Sequence, residues 1–189
     1  MSGRDVQILQ TAASIENLTA TTYEITAGLP FMEGAPALVT SFLARTRDAH
    51  REHARQLNAA ATRLGGKPQP GPNPGLKADI DGRTRGLRTP GDVIDLLLRL
   101  EVIATQTYLA NTTALADVEG RKLVASVLGV TAQYVAALNL MKALLPTGEL
   151  LVPPPALSRL PAAAALAGLN EGAFLQTDQA RPVDEGAVK

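Results

Sequence analysis

The chain has no cysteine and no tryptophan, and only 3% of its 189 residues are aromatic. Without thiols it can form no disulfide, no thiolate metal site, no iron–sulfur cluster and no cysteine nucleophile. Net charge is missing as well. Eighteen basic residues balance eighteen acidic ones, so no global field draws the protein towards nucleic acid or an anionic bilayer. No uninterrupted apolar run approaches the ~20 residues that a membrane helix requires, and no membrane span is expected. The opening Met-Ser-Gly-Arg-Asp-Val lacks the basic, apolar and small-residue sequence of an export signal. The expectation from these absences is a soluble, cytoplasmic domain. Histidine is also scarce: His50 and His53 are the only two. They lie together on one predicted helix, which disfavours a Ser-His-Asp hydrolase.

What remains is 46% hydrophobic and, with so few aromatics, must build its core mostly from Ala, Leu and Val. That composition suits close-packed helices better than sheets. Periodicity and breakers predict four long helices. The first runs from about Asp5 to Ala27, where Gly28 and Pro30 stop it. The second runs from about Pro36 to Leu64, before Gly65-Gly66. The third opens on Thr89-Pro90-Gly91-Asp92, a Thr cap with Pro in the first turn, and continues to about Ala116. The fourth spans about Val118 to Leu145, and Pro146 ends it. Between the pairs, Lys67 to Thr89 carries Pro68, Pro70, Gly71, Pro72, Pro74 and Gly75, and no helix is expected there.

Short turns within each pair make two antiparallel hairpins. A connection of more than 20 residues between them implies a crossover along the bundle, not an up-down-up-down arrangement. The crossover cations Lys77, Arg83, Arg85 and Arg88 are offset by Asp79 and Asp81 and interleaved with no aromatic residue, so a solvated loop is expected over a nucleic-acid site. After Pro146 the composition changes: Val152-Pro153-Pro154-Pro155 is polyproline-like and Ala162 to Leu169 suits a short helix. The division expected is a bundle over residues 1–145 and an extended, Pro-rich C-terminal arm over 146–189, packed on the bundle or on a neighbouring subunit. Disorder is the competing expectation for the last ten residues.

The two hairpins read as copies. Glu16-Asn-Leu-Thr-Ala-Thr-Thr-Tyr23 aligns with Glu101-Val-Ile-Ala-Thr-Gln-Thr-Tyr108, each placing Glu and Tyr two turns apart on one helix face. His50-Arg-Glu-His53 aligns, without a gap, with Thr131-Ala-Gln-Tyr134. Glu16 and Glu101 lie in apolar stripes, where an ionised carboxylate needs a partner. His50 and His53, at i and i+3, share the face of Leu57 and Leu64, with Arg51 and Glu52 on the solvated flank. Two inward carboxylates and two inward imidazoles are a metal-site composition. A dry polar cluster accounts for them equally: Glu16 and Glu101 hydrogen-bonded to Tyr23, Tyr108 or Tyr134, with one histidine protonated as counter-ion.

On these residues the chain resembles the ferritin-like superfamily and, more closely, bacterial ferritin-like domain proteins of the Ferritin_2 type, over residues 1 to about 145. The resemblance implies an all-α four-helix bundle and a di-iron site made by Glu, then Glu-x-x-His, then the same set again. Glu16, His53 and Glu101 match that pattern. His50 stands where a bridging Glu belongs, Thr131 replaces the second bridging Glu, and Tyr134 replaces the second His. Tyr23 and Tyr108 would brace the site from outside. With no bridging carboxylate, a ferritin-like protein that has lost di-iron oxidase chemistry is expected, acting as a structural or interaction subunit. It would form a homo-oligomer, or a hetero-oligomer with a related ferritin-like subunit. The alternative is a metal-binding protein of iron metabolism or oxidative-stress defence that holds a single Fe, Mn or Zn at Glu16, His50, His53 and Glu101, or a residual di-iron site. A stress-protective role is the third reading. Enzymatic activity is left open, the ligand count weighing against it.

Overall fold

A computed structural model describes residues 3–144 and 177–188. Five helices follow in order: α1 (Gly3–Ala27), α2 (Ala37–Arg63), α3 (Pro74–Gly86), α4 (Pro90–Ala114) and α5 (Val118–Leu144), with a 3-10 turn at Pro30–Met32 between the first two. Among the described residues there is no strand. α1 packs most extensively on α2, and α4 on α5; α1 also meets α4 and α2 meets α5, closing a four-helix ring. This is the two-hairpin, long-crossover bundle expected from loop lengths. The proposed split at residue 145 and the Val152–Pro155 and Ala162–Leu169 assignments fall outside the described residues or at their edge.

Local signals set the helix ends. Gly65 follows α2 at φ +88°, a conformation that costs glycine little and other residues more. Pro36 precedes α2 as its cap residue rather than opening its first turn. Thr89 caps α4 in a reciprocal box with Asp92: the Thr89 hydroxyl accepts from the Asp92 N–H, and the Asp92 carboxylate accepts from the Thr89 N–H. Asp5, at the start of α1, accepts from the backbone N–H groups of Ala116 and Asp117 and ties the first hairpin to the α4–α5 turn.

The crossover corrects the sequence reading. A helix does form inside it, because every proline of that stretch lies at or before Pro74. Pro74 takes the first helical turn, where its missing N–H costs nothing, and the Asn73 side chain caps Leu76. Beyond it, Leu76 and Ile80 are buried one turn apart, while Lys77–Asp81 and Asp79–Arg83 make i,i+4 ion pairs on the outer side. Two of the four basic crossover residues are thus neutralised within α3 itself.

From Ile8 to Ala20, α1 is covered on every side. The face bearing Leu9, Ala12, Glu16 and Tyr23 turns into the bundle, and the polar face is covered by other segments. Gln10 donates to the Lys67 carbonyl, Asn17 to the Gln69 and Gly71 carbonyls, and Thr11 to the Val183 carbonyl. Residues 177–188 lie across α1 and α4. Gln179 and Arg181 donate backbone N–H groups to the Gln106 and Thr107 side chains, and Gly186 donates to Thr11. By length and composition α5 would pass as a membrane span, with a mean hydropathy of 1.6 in its most apolar stretch. Here its inner face supplies Val124, Val127, Val135 and Leu138 to the bundle core.

Candidate metal centre

α1, α2 and α4 bring Glu16, His50 and Glu101 together at the centre, all fully buried. The His50 ring lies between the carboxylates: Nδ1 is 2.6 Å from Glu16 Oε2 and Nε2 is 2.9 Å from Glu101 Oε1. An ionised carboxylate only accepts, so both ring nitrogens carry protons and His50 is an imidazolium. Burial alone would lower its pKa; the charges of Glu101 and Glu16 outweigh burial and raise it from 6.5 to about 10. Burial would likewise raise Glu16, yet the charge of His50, with hydrogen bonds from His50 and His53, brings it down to about 2.

His53, one turn along α2, reaches the same oxygen: its Nδ1 is 3.2 Å from Glu16 Oε2, and its side chain is 12% exposed. Glu16, His50 and His53 each offer a ligand atom, and the three lie within 4.8 Å of one another. Glu101 sits across the imidazole from this group.

The tyrosines complete the arrangement: the carboxylate–tyrosine hydrogen bonds expected of a dry polar cluster are present, and only their pairing was not read from the sequence. Glu and Tyr of each repeat were expected to share a helix face, and they do, but the bonds cross between helices. Tyr108 of α4 donates to Glu16 Oε1 of α1, and Tyr23 of α1 donates to Glu101 Oε1 of α4 at 2.8 Å. The two bonds are reciprocal, each helix giving its tyrosine to the carboxylate of the other. Equal Glu-to-Tyr spacing on antiparallel neighbours was the available signal. Burial first, then the charge of the bonded carboxylate, pushes both phenols well above 10, so they stay neutral donors.

The α5 half differs. Thr131 is buried, but its hydroxyl donates to the Leu128 carbonyl of its own helix. Tyr134 is half-buried, its ring 5.7 Å from that of His50 and 6.1 Å from that of Phe42. Burial and the charges of Glu101 and Glu16 raise its phenol to about 12. Glu101 Oε2 is buried with no hydrogen-bond partner among the described residues. Arg51 and Glu52 are exposed, pairing with Glu24 and Arg55.

The fold and this carboxylate–histidine core define a ferritin-like four-helix bundle. Residues 4–143 match the family model of the ferritin-like domain, and the chain belongs to that family. No curated protein and no solved structure matches it. The family commonly binds iron or other metals, and this core tests that against its own donors. A dinuclear centre does not fit: among the described residues α5 brings neither carboxylate nor imidazole to the core, and the α2 carboxylates Asp48 and Glu52 are exposed. A single ion does fit the donor chemistry of Glu16, His50 and His53, two imidazoles and a carboxylate suited to a divalent Fe, Mn or Zn ion.

Proposed function

We propose that this ferritin-like protein has given up dinuclear oxidase chemistry and serves as a structural or interaction subunit in the cytoplasm. The observation that carries the reading is His50. Its ring stands between the two carboxylates that a di-metal centre would share, and it balances them with both of its nitrogens. A buried Glu–His–Glu set with two tyrosine donors holds the bundle centre without a dinuclear metal cluster. The matched halves, with ligand types kept in one and lost in the other, support an internal duplication followed by decay. A homo-oligomer, or a hetero-oligomer with an intact ferritin-like subunit, is the assembly this role calls for, and bacterial stress defence is a setting in keeping with it.

The test is oxygen uptake on adding Fe(II) aerobically to the purified protein. The expected rate equals that of buffer alone; protein-dependent uptake over repeated additions would sink the reading. A second reading, a metal-handling protein with one ion, is favoured by the convergence of Glu16, His50 and His53 on one point. It is compatible with the loss of oxidase chemistry.

A further inference from the structure

We propose that the chain holds one divalent transition-metal ion through Glu16 Oε2, His50 Nδ1 and His53 Nδ1, and that Glu101 is not a ligand but the residue that positions His50. The inference rests on the reading that the dinuclear chemistry is gone, and it departs from the family pattern, in which the third-helix Glu binds metal.

Three observations carry it. First, the two imidazoles present the same atom, Nδ1, to the same carboxylate oxygen, at 2.6 and 3.2 Å. Their i,i+3 spacing places both on one face of α2. Second, the far side of each inner group is already braced. Glu16 Oε1 accepts from Tyr108, which leaves Oε2 for the histidines. His50 Nε2–H is held by Glu101 Oε1, which Tyr23 holds in turn. A carboxylate on the outer N–H of a ligating histidine fixes the tautomer and makes the inner nitrogen a stronger donor, the usual support of metal-bound imidazole. Third, His53 is the one of the three that reaches the surface, its side chain 12% exposed, so an ion would meet the site from that side. The ion takes the place of the proton on His50 Nδ1, so positive charge remains opposite Glu16. All three ligands come from the α1–α2 hairpin, and the absence of sulfur donors selects borderline ions such as Zn, Fe or Mn.

Co(II) is the probe, because its ligand-field absorption reports coordination in the full-length protein without any activity. The wild type is expected to bind one Co(II) per chain, with visible bands that His53→Ala and Glu16→Gln abolish. Glu101→Gln, which keeps an acceptor for Nε2–H, is expected to retain one ion and the same band shape, with Kd weaker by roughly 10–100-fold. Altered or absent bands in folded Glu101→Gln would make Glu101 a ligand and overturn the assignment. Should that variant fail to fold, the partly exposed His53 carries the test, and bands unchanged in His53→Ala would overturn it. No uptake by the wild type would end the inference while leaving the loss of oxidase chemistry standing. Two ions per chain would end both.

Discussion

α1 buries 16 of its 25 residues, whereas α5 buries 7 of its 27. Hydropathy alone would reverse them. α1 is rich in Thr, Ser, Gln and Glu, while α5 carries no charged residue between Lys122 and Lys142 and leaves Ala125, Ser126, Gly129, Gln133 and Ala136 exposed. The difference follows from what covers each helix. The polar residues of α1 are satisfied by the crossover, by residues 177–188 and by the central ionic cluster, so burial costs them little. Among the described residues α5 has one covered face, and the positions that align with His50 and His53, Thr131 and Tyr134, place no charged group in the centre. α1 is held by hydrogen bonds and ion pairs as well as by packing, α5 mainly by packing.

The largest expected break in that comparison is His50→Ala. Removing the imidazolium leaves Glu101 buried with no counter-charge and Glu16 with only the partly exposed His53 beside it, a loss of about 3–5 kcal/mol, measurable by urea denaturation in the presence of chelator. The pH dependence follows in sign. His50 is raised from 6.5 to about 10, so its contribution is complete below pH 6.5 and disappears as pH climbs towards 10. Glu16 is lowered from 4.5 to about 2, so its contribution is complete above 4.5 and disappears as pH falls towards 2. The wild type should be most stable between about pH 4.5 and 6.5. His50→Ala should instead gain stability on acidification from pH 7 to 5, as the stranded carboxylates take up protons. A parallel pH profile for the two proteins would contradict the ionic core.

Next in size is Tyr108→Phe. It strips the donor from Glu16 Oε1 inside the core and is expected to cost about 1.5–3 kcal/mol, as for a hydrogen bond to a charged group. Gly186→Val follows. A Cβ at Gly186 would lie 2.4 Å from Ser14 Oγ and 2.7 Å from Thr11 Cα, so residues 183–188 must lift from α1. The expected loss is about 1–3 kcal/mol, with new protease cleavage near the C-terminus and an intact bundle core by near-ultraviolet dichroism. Unchanged proteolysis would mean that the segment does not need its seat on α1.

The bundle was legible because its signals are local: Thr89-Pro90 opens a helix, Gly65 closes one, and loop lengths order the rest. Glu16, His50, His53 and Glu101 stood out as polar groups in apolar stripes, and the structure brings all four together. Two things were not legible. The density of prolines in the crossover hid α3, although the capping Asn73 and the Leu76–Ile80 pair were present. The crossed tyrosine bonds depend on which helices are neighbours, and a face computed for one helix does not contain that. Nor did polar periodicity reveal that Gln10, Thr11 and Asn17 would be covered, since their partners are backbone carbonyls of distant segments.

The smallest expected effect sharpens the comparison most. Tyr134 occupies the position equivalent to His53, close to His50, yet its hydroxyl has no hydrogen bond among the described residues, unlike those of Tyr23 and Tyr108. Its ring packing against Phe42 and His50 survives replacement by Phe. Tyr134→Phe should therefore change stability by no more than about 0.5 kcal/mol and leave the Co(II) bands as they are. The three tyrosines then divide by what their hydroxyls reach: the two that cross to a carboxylate, Tyr23 and Tyr108, cost stability when the hydroxyl is removed, and Tyr134 on α5 does not. A loss in Tyr134→Phe comparable to that in Tyr108→Phe would show that α5 contributes a polar group to the centre, against the proposed decay of that half.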